Sequence, residues 1–178
     1  MKLNTRTKAK TVTRRGTRRR VDKMKHLPLK YIPQHLSRRD KDIQRELLKK
    51  SANYYKKGKY YTRKKVKSFK SKKSQHVLNA KRIYQVDTIF PSQQLSQKTG
   101  CSIKALSDIV KKGEGAYYSS GSRPNQTARS WGIARLASAI TGGKSAVVDY
   151  HILDTGCSKN SKALRMAKQS IRKHGPSV

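Results

Sequence analysis

Side chains able to act as nucleophiles are few in this sequence and lie far apart. The two cysteines, Cys101 and Cys157, each stand close to the predicted start of a helix, where the pKa of a thiol falls and the thiolate becomes a nucleophile. A small, buried and unreactive residue is the commoner use of such a cysteine, and we favour it here. Two cysteines also make neither a disulfide framework nor a four-ligand metal site.

Groups that bind metal ions are equally scattered. The five histidines have no metal-ligand spacing, and His151, which shortly precedes Cys157, has no further ligand beside it. A metal-dependent nuclease needs clustered carboxylates, yet in the second half of the chain only Asp149 and Asp154 are near neighbours. We therefore predict that the protein is not an enzyme and has no metal site, no cofactor and no small-molecule substrate.

Cations dominate the sequence and lie mostly in its first half. Lysine and arginine number 44 against 9 acids, which gives a formal net charge of +35. Residues 1–85 contain 30 of these cations and only four acids. Such a segment repels itself and does not collapse alone, so it needs a polyanion as its partner. The candidates are nucleic acid, an anionic membrane face and acidic protein surfaces.

The densest cationic stretches define the candidate binding residues. Residues 14–20 are rich in arginine, within a predicted disordered tail. In residues 54–65 two tyrosine pairs alternate with lysines. Tyrosines stack on exposed bases and cations neutralise phosphates, but a hairpin or an extended arm whose tyrosines pack on the protein itself fits equally well. The predicted polyanion-binding residues are Arg14, Arg15, Arg18, Arg19, Arg20, Lys56, Lys57, Lys59, Tyr60, Tyr61, Arg63, Lys64, Lys65, Lys67, Lys104, Lys111 and Arg123.

Helices must position these groups. The pattern at residues 37–50 predicts a helix capped by Ser37, with Asp40 as the capping-box partner. Residues 95–113 fit a helix-turn-helix, in which Gly100 makes the turn and Ser102 caps a second helix that ends at Gly113. Its groove-facing residues would be Lys104, Ser107 and Lys111. An ordinary helical hairpin that binds nothing explains the same pattern.

The rest of the second half predicts one loop and further helices. Residues 117–127 form a polar loop, either an anion site at a helix N-terminus or a structural loop that satisfies its own backbone; we slightly favour the latter. Thr127 begins a helix that Gly142 and Gly143 stop, residues 145–153 fit either a strand or a short helix, and residues 160–173 form a basic helix. The segment TGCS occurs at 99–102 and again at 155–158, with different spacing afterwards.

Together these elements predict a mainly α fold. We expect a basic arm, extended or disordered, over residues 1–85 with one short helix at 37–50, a compact helical domain over 86–157, and a basic C-terminal helix or tail over 158–178. A core drawn from residues 86–157 alone is near the lower size limit for independent stability. We therefore expect this domain to be marginally stable alone and to be stabilised when it binds a partner.

Two stretches of the sequence resemble a family of small basic proteins encoded by large nucleocytoplasmic DNA viruses of algae and protists. They are KKGEGAYYSSGSRPNQTARSWGIARLASAITGGKSAVVDYHILDTGC at residues 111–157, in which the block GAYYSSGSRPNQT is distinctive, and GKYYTRKKVKSFKSKKSQHVLNA at 58–80. The likeness runs from about Leu27 to Cys157. That family is a domain of unknown function, so it supplies no functional residues. The resemblance implies a viral origin and, more loosely, a protein of the virion.

The expected function is that of a non-enzymatic virion structural protein, most simply a minor capsid protein whose basic arm binds acidic capsid proteins or an internal virion membrane. The alternative is a DNA-binding protein that condenses or packages the viral genome, docking through the 92–112 hairpin and contacting nucleic acid non-specifically through the arm. In either case we expect synthesis inside the host cell, since the N-terminus has no apolar signal region, and a final location in the virion.

Overall fold

The computed structural model describes residues 27–175, and within them the prediction of a mainly α fold is confirmed. No strand occurs in this range apart from one isolated bridge, and none of its helices combines the length and hydropathy needed to cross a membrane. The arginines at 14–20 lie outside the described residues. The helices are α1 (Arg38–Lys56), α2 (Gln75–Tyr84), α3 (Gln93–Thr99), α4 (Ile103–Ser119), α5 (Ala128–Ile140), α6 (Lys144–Val148), α7 (Tyr150–Gly156) and α8 (Lys162–His174).

Helix α1 begins where its cap was predicted but continues to Lys56, beyond the predicted end at residue 50. The Ser37 side chain accepts a hydrogen bond from the Asp40 N–H at 3.1 Å, which confirms the cap. Asp40 does not complete a capping box. Its carboxylate instead accepts from the backbone and hydroxyl of Ser68, and the Ser37 N–H donates to the Ser68 hydroxyl. A partner distant in sequence has replaced the local one.

The predicted end of α4 at Gly113 is wrong. The helix is capped by Ser102 as predicted but continues to Ser119, so the predicted loop loses its first residues to the helix. Gly113 serves a different purpose: a Cβ built on it would lie 2.6 Å from the Cα of Gly132 in α5. The two glycines let α4 and α5 cross closely, and this crossing forms the centre of the molecule.

The hydrophobic core extends across both boundaries predicted from the sequence. Ala80 and Tyr84 of α2 and Leu164 and Ala167 of α8 belong to the same cluster as the residues of α4 and α5. The described part of the predicted arm therefore packs on the helical domain, and α8 is part of that domain. The largest fully buried side chains of this cluster are Leu95, Leu106, Ile109, Leu136, Ile140, Leu153 and Leu164.

The two TGCS segments lie side by side. The Ser102 N–H donates to the Gly156 carbonyl at 2.7 Å, and the Ser158 N–H donates to the Gly100 carbonyl at 2.8 Å. The contacts of the glycines are also reciprocal, because a Cβ on Gly100 would meet Ser161 at the start of α8 and one on Gly156 would meet Ala105 at the start of α4. The pairs α3–α4 and α7–α8 are thus joined by an approximately two-fold contact.

Cys101 and Cys157 form a disulfide at this contact, with an S–S distance of 2.03 Å. This corrects the prediction that the cysteines make no disulfide. Both are buried, as expected. The pairing requires the two TGCS turns to meet, and their sequence separation of 56 residues gave no indication that they do.

Candidate polyanion-binding surface

Residues 57–74, which we call the connector, join α1 to α2 without helix or strand. Arg63 and Val66 are buried, and the half-buried Phe69 stacks against His35 with ring centroids 5.7 Å apart. Every third residue therefore points inward from Arg63 to Phe69. The lysines of the connector are directed to solvent.

Arg63 was predicted to bind a polyanion, but the structure buries it, with 8% of its surface exposed. Its guanidinium donates to the Ser51 hydroxyl at 3.0 Å, to the Tyr117 carbonyl at 2.8 Å and to the Ser122 hydroxyl at 2.7 Å. It also lies 3.6 Å from the centroid of the Tyr117 ring, a cation–π arrangement. Burial lowers the pKa of Arg63, yet arginine stays protonated in proteins. Its role is to anchor the connector.

Asn125 is the second anchor of the connector. Its side-chain carbonyl accepts from the Val66 N–H at 2.8 Å, and its amide group donates to the carbonyls of Val66 and Phe69, both at 3.0 Å. The loop that follows α4 therefore has a structural role, one of the two alternatives predicted from the sequence. Its side chains satisfy the backbone of the connector as well as that of the loop itself.

The exposed cations of the connector have no acidic partner within the described residues. The sequence has no acid from residue 47 to residue 86, and none of the ion pairs in the described range includes a connector lysine. The fixed backbone thus presents a row of cations to solvent. These cations, together with the last residue of α1, are Lys56, Lys57, Lys59, Lys64, Lys65, Lys67, Lys70, Lys72 and Lys73.

The chain reverses direction between α1 and the connector at Gly58. The Lys59 N–H donates to the Tyr54 carbonyl and the Gly58 N–H to the Tyr55 carbonyl, which is the pattern of a Schellman motif. Gly58 has a φ of +70°, a conformation that glycine adopts without steric cost. This turn folds the second tyrosine pair back over the first.

The resulting contacts pair Tyr54 with Tyr61 at 5.5 Å and Tyr55 with Tyr60 at 6.1 Å between ring centroids. Tyr118 of α4 joins them, 4.9 Å from Tyr60. We call these five residues the tyrosine patch. Tyr60 remains 71% exposed, whereas Tyr61 is half-buried. The chain therefore turns back on itself as in a hairpin, but the rings of Tyr54, Tyr55 and Tyr60 remain exposed to solvent.

The predicted groove-facing residues of α4 form a weaker cationic surface. Lys104 and Lys111 are exposed, but Lys104 forms an ion pair with Asp108 at 3.0 Å. The turn at Gly100 exists, and Cys101 within it is held by the disulfide. Arg123, the remaining predicted cation in the described range, is exposed.

Helix α8 carries a cationic stripe that we did not include among the candidate residues. Lys162, Arg165, Lys168 and Arg172 are exposed and recur every three or four residues, so they share one face of the helix. The opposite face buries Leu164 and Ala167. The three- and four-residue spacing of these cations in the sequence would have been enough to predict that they share a face of the helix.

The two neighbouring acids of the second half, Asp149 and Asp154, have separate partners. Asp149 is completely buried between α6 and α7, where Arg135 donates two hydrogen bonds of 2.7 Å to its carboxylate and Lys112 lies 3.0 Å away. Residues 145–153 are thus helical on both sides of Asp149 and contain no strand. Asp154 accepts from the Tyr150 hydroxyl instead. In residues 27–175 no group of histidine, cysteine or acidic residues could hold a metal ion.

Residues 28–165 match the model of a family described as "Family of unknown function (DUF5824)". The chain belongs to this family. Comparisons with curated proteins and with solved structures gave no match.

The range matched by the family model includes every element that forms the connector surface and the tyrosine patch. It contains the connector, its anchors Arg63 and Asn125, the tyrosine patch and both TGCS segments. It ends at Arg165 within α8, so the later cations of the α8 stripe lie beyond it.

Proposed function

We propose that this protein is a non-enzymatic structural protein of a virion, a minor capsid protein that binds acidic capsid surfaces or the anionic face of an internal membrane. The observation that carries the proposal is the connector. Its exposed cations have no acidic partner in residues 27–175, and its backbone is fixed by Arg63 and Asn125.

A fixed backbone favours binding because the connector loses little conformational freedom when it meets its partner. Ordering a flexible segment at an interface costs free energy for each residue that becomes immobile. The connector has undergone that ordering on folding, through bonds to Ser51, Ser122 and Asn125. Complementary charge then increases the rate of association and fixes orientation.

Two further observations support a role in the virion. The sequence resembles proteins encoded by large DNA viruses, and such viruses have small basic proteins beneath their shells. The disulfide between Cys101 and Cys157 agrees with this, because disulfides persist on virions and in other oxidising settings and are rare in the reducing cytosol.

The second candidate function is condensation of the viral genome. The same exposed connector cations favour it, since neutralising phosphates releases condensed counterions. Binding to DNA in solution does not separate the two functions, because any protein this basic binds DNA. Location within the virion separates them.

The test is to open purified virions gently, separate the shell from the DNA core, and quantify the protein in each. Recovery with the shell, at a constant ratio to the major capsid protein, is the expected result. Recovery with the core overturns the capsid proposal in favour of condensation. Absence from virions overturns both.

A pair of charge-matched variants tests the role of the connector. Four connector lysines (Lys64, Lys65, Lys67 and Lys70) are changed to glutamine, and the control changes four exposed lysines outside the candidate binding residues (Lys98, Lys144, Lys159 and Lys173). Both variants lose the same net charge. We expect only the first to lose its association with the shell, and an equal loss in both would show that total charge alone matters.

A further inference from the structure

The tyrosine patch has properties that a structural cluster does not need. Tyr117, one residue before Tyr118, shows the structural use of this side chain: it is completely buried and its hydroxyl accepts from the Arg63 N–H. In contrast, Tyr54, Tyr55 and Tyr60 are 39%, 37% and 71% exposed. The patch thus exposes several rings together on one surface.

The rings of the patch touch one another and form a continuous aromatic surface. Tyr60 lies 4.9 Å from Tyr118 and 6.1 Å from Tyr55, while Tyr55 and Tyr118 are nearly parallel, with an interplanar angle of 6°. Centroid distances in this range are those of favourable aromatic contacts. A planar group that stacks on Tyr60 would therefore also lie close to its neighbours.

Lysines surround this surface. Lys50 has its Nζ 4.6 Å from the centroid of Tyr61 and 5.7 Å from that of Tyr54, and Lys56, Lys57 and Lys59 stand on the intervening turn. Within the described residues, the acids on the two helices that contribute tyrosines have partners of their own. On α1, Asp42 pairs with Arg45, Glu46 pairs with Lys49, and Asp40 accepts hydrogen bonds from Ser68. On α4, the two acids pair with Lys104 and Arg129. The partner that fits combines negative charge with exposed planar rings.

We propose that the tyrosine patch binds single-stranded nucleic acid, with unpaired bases stacked on Tyr60 and its neighbours and with phosphates contacted by the surrounding lysines. Stacking of bases on aromatic side chains within a cationic surface is the general mode of single-strand binding. This site is separate from the capsid role and does not depend on it.

A duplex and a membrane fit the patch less well. In a duplex the faces of the bases are covered by their neighbours, so the rings gain nothing beyond the charge contacts. Membrane-surface segments insert aliphatic or large apolar side chains such as leucine, phenylalanine and tryptophan. Residues 53–65 contain none of these, since tyrosine is their only ring-bearing or apolar residue.

The experiment measures binding of the full chain to a fluorescent oligothymidylate and to an abasic oligomer with the same number of phosphates. Both titrations use about 0.3 M salt, which weakens contacts made by charge alone. We expect the base-bearing oligomer to bind about tenfold more tightly, because each stacked base contributes that order of affinity. Equal affinity for the two oligomers overturns the proposal without recourse to any variant.

Variants at Tyr60 locate the site. Tyr60→Leu should weaken binding of oligothymidylate about tenfold and leave binding of the abasic oligomer and of duplex DNA unchanged, whereas Tyr60→Phe keeps the ring and should bind like the wild type. The matched control is Phe90→Leu, which removes an exposed ring that also has a cation, Arg129, above it but lies outside the patch.

Three results would overturn the site. An equal loss on both oligomers would show that Tyr60→Leu acts through charge or folding. Loss by Phe90→Leu as well would show that any exposed ring suffices. Loss of binding to anionic phosphatidylglycerol vesicles by Tyr60→Leu, with oligothymidylate binding unchanged, would identify a membrane contact. None of these outcomes depends on where the protein lies in a virion, so failure here is distinct from failure of the capsid proposal.

Discussion

The apolar core and the connector are held in place by different forces. The core consists of aliphatic side chains from α2 to α8, with Leu106 and Leu136 completely buried, and is linked by the Cys101–Cys157 disulfide. The connector has few apolar residues to bury. It is held by hydrogen bonds from side chains distant in sequence, chiefly Arg63 and Asn125.

The comparison shows how a highly cationic segment is ordered without a core of its own. Burial of apolar area is non-directional, whereas hydrogen bonds specify which atoms meet. The anchors therefore set the register of the connector and so decide which side chains face solvent. Each neutral hydrogen bond contributes only about 1 kcal/mol net, so the connector should open more readily than the core. Four predictions test this difference.

The largest expected effect is on the core. Reducing the Cys101–Cys157 disulfide should lower the free energy of unfolding by about 4 kcal/mol, because it frees a long closed loop in the unfolded chain. The measurement is urea unfolding with and without reductant. The double variant Cys101→Ser, Cys157→Ser is the control and should not respond to reductant. Identical unfolding midpoints for the reduced and oxidised wild type would contradict the prediction.

Replacing the buried anchor should have the next largest effect. Arg63→Met should cost about 3 kcal/mol, because it leaves the hydroxyls of Ser51 and Ser122 and the Tyr117 carbonyl without their donor. Arg63→Lys keeps the charge but not the planar fork, so it should recover only part of the loss. Hydrogen exchange should show the Val66 amide losing protection before the amides of α4 and α5. If the methionine variant were as stable as the wild type, the free-energy cost of burying the charge would be as large as the stabilisation from its hydrogen bonds, and the prediction would be wrong.

Removing the second anchor should affect the connector alone. Asn125→Ala eliminates three hydrogen bonds and strains the backbone, which has a φ of +58° there. We expect local opening to become easier by about 2 kcal/mol, seen as roughly thirtyfold faster exchange of the Val66 amide. Asn125→Gly relieves the strain but not the lost bonds, so the difference between the variants separates the two terms. Unchanged exchange would show that Arg63 holds this segment unaided.

The smallest expected effect is a local loss of stability around Asp40 at low pH. Hydrogen bonds from the Ser68 hydroxyl and backbone lower the pKa of Asp40 below its usual value of 3.8. A carboxylate with a depressed pKa in the folded state stabilises the fold above the unfolded pKa and loses that contribution as the pH falls through the folded value. The Ser68 amide should therefore lose protection only below about pH 3.8. In Asp40→Asn this step should be absent, and a wild-type step at higher pH would assign it to another group.

Local chemistry made many helix boundaries predictable. Ser37, Ser102 and Thr127 cap their helices as predicted, and Gly100 ends α3 with a φ of +72°. Each of these depends on atoms within a few residues of one another. Gly113 was misassigned for the opposite reason: a glycine that ends a helix and one that admits a neighbouring helix look the same until the position of Gly132 is known.

The candidate surface was predictable as a composition but not residue by residue. The tyrosines and lysines of residues 54–65 and the absence of nearby acids are plain in the sequence, and so is their suitability for a polyanion. The α8 stripe was also available from its spacing. The disulfide was not, because it depends on two turns that meet only in the folded chain.

The mainly helical fold, the helix caps and the excess of positive charge could be predicted from the amino-acid sequence, since they depend on local bonds and on composition. That Arg63 is buried while Lys64 and Lys65 beside it are exposed depends on how the chain folds. In the sequence the three are alike. A cation becomes buried where acceptors gather to replace its water, and the acceptors of Arg63 come from Ser51, Tyr117 and Ser122, which only folding brings together.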